Sequence, residues 1–174
     1  NKMDTKIFQD ENGFCQFDFS AALRASNQLN PIFQQNTSSL LSDIDFLVET
    51  EDEIIFVEYK NANVPGCSKP EAMTPSNQKL QNKLAFKYYD SWLYIHATDC
   101  RKPITYVCVV EFYQDDSRMR LKLREAVTRL LPFRLQKLEN VKHMMIQDFH
   151  VLSVDEWNCH DHFKRYPITR IFHT

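Results

Sequence analysis

Between Leu41 and Asn63 apolar and polar positions alternate at a period that belongs to strands. Ile44 to Glu49 is rich in β-favouring residues, Thr50 to Glu53 is a polar turn, and Ile54 to Lys60 is a second apolar run. The pattern predicts a β-hairpin. Asn77 to Ala97 changes period: Leu80, Leu84, Tyr88 and Trp92 recur every fourth residue, with Ile95 nearby, and predict an amphipathic helix. Ile104 to Phe112, ITYVCVVEF, is almost wholly apolar and β-branched, as expected of a central strand covered on both faces. Met119, Leu123, Val127, Leu130 and Leu131 mark another helix, interrupted at Pro132 and continued by Leu135 and Leu138. Phe149 to Val154 reads as a strand, Ser153 or Asp155 as the cap of a short helix reaching Phe163, and Ile168 to Phe172 as a last strand or arm.

The first forty residues are less regular. Asn1 to Gly13 is polar and expected to be loosely ordered, and Phe14 to Phe19 is a strand or the lead-in to a helix. Ser20 to Leu29 reads as a helix packing through Ala21, Ala22, Ala25 and Leu29 and ended by Pro31; Ile32 to Ser39 then supplies a short strand. Asn61 to Ser76, with Pro65, Gly66, Pro70 and Pro75, is an irregular loop. The sum is one α/β domain, a central mixed sheet with flanking helices. Its core, about residues 14–112, runs αβββαβ, and residues 113–174 form a largely helical C-terminal extension.

Chemistry concentrates in the hairpin. With the turn centred between Glu51 and Asp52, Asp45 lies opposite Glu58, Leu47 opposite Phe56 and Asp43 opposite Lys60. Asp43, Asp45, Glu58 and Lys60 then share one face. Two carboxylates opposed across a ladder repel, so something positive belongs between them: Lys60, or a hard divalent cation. A solvated, salt-bridged hairpin is the bland alternative.

At these residues, Ile44-Asp45-Phe46-Leu47-Val48 followed by Phe56-Val57-Glu58-Tyr59-Lys60, the chain resembles the PD-(D/E)XK nuclease superfamily, with its Asp on one strand and Glu-x-Lys on the next. The resemblance covers about Ser42 to Phe112. It implies a restriction-endonuclease-like fold and a magnesium or manganese ion held by Asp45, Glu58 and the main-chain carbonyl of Tyr59, with Lys60 serving the attacking water. Catalytic residues by this resemblance are Asp45, Glu58 and Lys60. Asp43, Gln78, Gln81 and Lys83 are candidates for supporting positions around them. The acidic residue that such proteins often carry on the first helix has no clear counterpart, Asn27 or Gln28 being the nearest substitutes.

Composition narrows the field. Two glycines and no GxGxxG or Walker pattern argue against nucleotide-dependent chemistry. The formal charge is −2, so nucleic-acid affinity must come from segregation: Arg118 to Lys142 carries eight Lys or Arg against Glu125 and Glu139. Lys79, Lys87, Arg118, Lys122 and Arg129 are the candidate nucleic-acid contacts, alongside the reading of the same stripes as solvated faces. Five scattered cysteines form no CxxC pair, and Cys159, His160 and His162 fall at spacings that suit no common zinc site. No apolar run approaches membrane-spanning length, so a cytoplasmic protein without a membrane partner is expected. The function expected is metal-dependent hydrolysis of DNA, with a homodimer as the arrangement that would cut both strands of a duplex. The alternative is an idle nuclease-like module that binds nucleic acid or a protein.

Overall fold

A computed structural model describes residues 5–38, 40–114 and 116–171. Its main sheet has five strands: β3 (Arg24–Ser26), β4 (Phe46–Glu49), β5 (Ile54–Asn61), β6 (Ile104–Glu111) and β7 (Asp148–Leu152), in that spatial order. The first three are antiparallel and the last three parallel, so the sheet is mixed. A second sheet joins β1 (Ile7–Gln9), β2 (Cys15–Asp18) and β8 (Ile168–Arg170). The helices are α1 (Leu29–Thr37), α2 (Gln78–Ala97), α3 (Ser117–Thr128) and α4 (Val154–Cys159). None of the described helices is long and apolar enough to cross a membrane.

The main sheet separates two cores, and strand alternation decides which residue joins which. Ile54 and Phe56 of β5 and Tyr106, Cys108 and Val110 of β6 pack beneath α2 and α3 with Leu84, Tyr88, Leu123 and Val127. Their neighbours Ile55, Val57, Tyr59, Val107 and Val109 face the other way, against Phe17 and Phe19 of the β2 segment and Trp157, Phe163, Tyr166 and Ile168 near the C-terminus. Every residue of β6 is buried, because both faces of this central strand are covered. The C-terminal segment therefore supplies the strand expected near Phe149–Val154, observed at Asp148–Leu152, and in addition most of a core wall.

The hairpin forms in the expected register, with Phe46 opposite Val57 and Leu47 opposite Phe56. Helix α2 starts at Asn77, whose side chain accepts from the Lys79 and Leu80 amides. Ser153 and Glu156 make a reciprocal capping box on α4, which ends at Cys159 and so stops short of Phe163.

The N-terminal expectations differ from the structure. Ser20–Leu29 is not a helix: Arg24–Ser26 is the edge strand β3, paired with Leu47–Glu49. The expected strand Ile32–Ser39 is instead helical through Thr37, with Ser39 outside the described residues. Pro31 lies in the first turn of α1, where its missing N–H costs nothing, so it opens the helix that it was expected to close. The expected loose tail contains β1, and Gly13, at φ 71°, makes the tight turn between β1 and β2. Residues 1–4 and Phe172 lie outside the described residues.

Candidate functional site

Just ahead of Phe46 the chain bends at Asp45 and lies outside the ladder. Its amides are taken over by α2: Ser42 N–H donates to Asp90 Oδ2 at 2.8 Å and Ile44 N–H to Ser91 Oγ at 3.1 Å. Asp43 and Asp45 are thereby fixed against α2. On the facing strand the Tyr59 N–H donates to Asp45 Oδ2 at 2.8 Å. In an extended strand the N–H and C=O of one residue point to the same edge. The Tyr59 carbonyl therefore faces the Asp45 edge, and its ladder partner, the Ile44 N–H, is engaged by Ser91.

The side chains of Asp45, Glu58 and Lys60 converge. Glu58 is fully buried; its Oε1 has no well-directed hydrogen bond, although Lys60 Nζ lies 2.6 Å away and Lys87 Nζ 2.8 Å away. Lys87 also donates to Glu58 Oε2 at 2.9 Å and comes within 3.6 Å of Asp45 Oδ1, with only 12% of its side chain exposed. Two carboxylates thus share two ammonium groups.

Burial first, and the neighbouring Glu58 charge second, push the Asp45 carboxyl up from 3.8 to about 6. Burial likewise raises Asp43, against the hydrogen bond from Asn30 Nδ2 at 2.8 Å and the Lys87 charge. At Lys60 burial works against the charged form, but Glu58 and Asp45 outweigh it, so the amine is held as ammonium well above its ordinary range. Tyr59 points its ring into the opposite core, where its hydroxyl meets Cys15 Sγ at 3.2 Å and Asn61 Nδ2 at 3.0 Å.

The group opens into a polar cleft of about 620 Å³. One wall is the β1–β2 turn with Asp10, Glu11 and Asn12; another is Asn27, Asn30 and Gln34 from the α1 region; Lys83 and Lys87 of α2 close it. Of the supporting candidates, Asp43 and Lys83 line the cleft. Gln78 and Gln81 do not: Gln78 donates to Asn82 on an exposed face, and Gln81 to the Pro75 carbonyl, fastening the long loop to α2.

The basic candidates divide similarly. Lys87 lies inside the site rather than on an outer stripe, while Lys79, Arg118, Lys122 and Arg129 are exposed and outside the cleft lining. Arg120 is buried in a two-pronged contact with Glu156, at 2.9 and 3.0 Å, and Arg124 donates to the Phe149 carbonyl, so part of the basic helix holds the fold together. His162 meets Glu53, and His160 packs on Phe163.

Asn30, Ser91 and Asp90 escaped the sequence reading. Asn30 fell within the misplaced start of α1, whereas Ser91 lies between Tyr88 and Ile95 on the buried face of α2, off the stripe that the four-residue spacing defines. Among the described residues, no group of three or more His, Cys, Asp or Glu side chains is placed to hold a metal ion. Two carboxylates and a carbonyl are nevertheless a donor set that suits magnesium, which keeps several waters of its own. Comparison with family profiles, curated proteins and solved structures finds no match.

Proposed function

We propose that this chain is a metal-dependent nuclease that hydrolyses phosphodiester bonds in DNA, with Asp45, Glu58 and Lys60 as its catalytic residues. The observation that carries the reading is the convergence of these three side chains, in the register and on the face that the PD-(D/E)XK resemblance implies, with Asp45 and Lys60 lining a polar cleft and Glu58 buried behind them. Asp45, Glu58 and the Tyr59 carbonyl would hold magnesium or manganese. Such an ion, when bound, supplies Lewis-acid activation and neutralises charge developing on the phosphate.

Hydrolysis forms a bond from a water oxygen to phosphorus and breaks the bond to one bridging oxygen. The water gives up a proton and the departing oxygen gains one. Lys60, held as ammonium by Glu58 and Asp45, is suited to donate hydrogen bonds to a phosphate oxygen or the incoming water rather than to take a proton. Asn27, Asn30 and Gln34 offer neutral donors and acceptors along one wall, and Lys83 a cation at the rim.

A second reading rests on Lys87. Its ammonium already satisfies the carboxylate pair, as expected of an idle nuclease-like module that binds nucleic acid or a protein without cutting. Incubating linear, circular, branched and single-stranded DNA with magnesium, manganese or chelator separates the two. Cation-dependent cleavage that falls at least ~100-fold in Glu58→Ala and Lys60→Ala supports the nuclease. Binding without cleavage under every condition supports the idle module.

A further inference from the structure

Lys87 stands where the positive charge between Asp45 and Glu58 is needed. It reaches both Glu58 oxygens, at 2.8 and 2.9 Å, and lies 3.6 Å from Asp45, while Lys60 holds Glu58 from its own strand at 2.6 Å. Two ammonium groups thus hold this carboxylate pair, and the Lys87 charge also acts on the nearby Asp43 carboxyl. A divalent cation between Asp45 and Glu58 would lie against the Lys87 and Lys60 ammonium groups, where like charges repel. One ammonium must then withdraw, or an anion must arrive.

The geometry makes Lys87 the group that withdraws. Lys60 is anchored on β5 two residues from Glu58, on the same face of the strand. Lys87 arrives on a flexible four-carbon stem from a helix across the cleft. One helical turn further out, ~6 Å along α2, Lys83 lines the same cleft. Space and a second cation therefore lie along its outward path, where a nucleic-acid phosphate entering the cleft would sit.

Building on the nuclease reading of this site, we propose that Lys87 is a built-in counter-ion that competes with the divalent cation for the Asp45–Glu58 pair and, once displaced, pairs with the substrate phosphate. Cation and nucleic acid consequently bind cooperatively: each supplies the charge that the other needs. The protein alone holds the cation weakly and holds it well only when a phosphate is present.

Calorimetric titration of the metal-free protein with manganese tests this without reference to turnover. Lys87→Gln is expected to bind manganese at least ~10-fold tighter than wild type, and Lys87→Arg, which keeps the competing charge, to stay close to wild type. A nuclease-resistant phosphorothioate single strand is expected to tighten manganese binding to wild type, and to do so much less in Lys87→Gln. Unchanged or weaker binding in Lys87→Gln overturns the proposal. So does a wild-type affinity indifferent to the oligonucleotide, a measurement that decides the matter alone should Lys87→Gln fail to fold. If wild type binds no manganese in either condition, the nuclease reading falls as well; if it binds and cleaves while these contrasts are absent, only the role of Lys87 is lost.

Discussion

Asp45 holds its charge at a cost to the fold. The unfolded chain ionises it near 3.8 and the folded chain at about 6, so between those values folding takes up a proton and stability declines as pH rises. Above about 6 the penalty is constant. Because the side chain remains 35% exposed, solvent screening reduces it to ~1 kcal/mol. Asp45→Asn, which keeps an oxygen for the Tyr59 amide, is expected to melt a few degrees higher than wild type at pH 7.5 in chelator and to match it at pH 4. A melting difference independent of pH would show that the carboxylate is not strained. Asp45, Glu58 and Lys60 were legible in the sequence because a period of two and a short turn fix both face and register. Lys87 was legible only as a candidate nucleic-acid contact, since its spacing from Lys79 and Lys83 defines a stripe, while the rotation of α2 against the sheet decides which member of the stripe reaches the carboxylates.

The hairpin and α2 form one working unit, joined where α2 takes over the amides ahead of β4. Ser91→Ala leaves the Ile44 N–H buried without a partner, which is expected to cost ~1–3 kcal/mol in a denaturant titration. It also loosens the segment that aims Asp45, so cleavage at a temperature well below the transition is expected to fall ~10-fold. Lost stability with unimpaired cleavage would mean that the hairpin holds Asp45 unaided. Elements with strong periodicity, β4, β5, α2 and β6, were readable for the same reason that they are stable: their apolar faces match the surfaces that cover them. The Arg24–Ser26 strand and α1 were not. An alanine-rich run favours helix locally, and pairing with the open edge of β4 overrode that preference, while Pro31 reads as a stop signal unless it is known to stand in a first turn.

Across the whole molecule the main sheet divides labour between its faces. Glu58 projects toward α2 and Lys60 into the cleft, whereas Val57 and Tyr59 project into the core closed by Trp157, Phe163, Tyr166 and Ile168. Neither periodicity nor motif announced that second core, because it joins the β2 region to a segment well over a hundred residues away, and sequence patterns report local spacing alone. Its separation from the chemistry is testable. Trp157 is fully buried and its indole donates to the Tyr166 carbonyl at 2.6 Å. Trp157→Phe leaves a void and an unpaired carbonyl, an expected loss of ~2–3 kcal/mol in denaturant midpoint analysis. Manganese affinity, measured well below the unfolding transition, is expected to stay within ~2-fold of wild type, since sites without shared partners act independently. A cation affinity that falls in step with stability would show instead that the far core sets the position of Tyr59, and through its main chain the site itself.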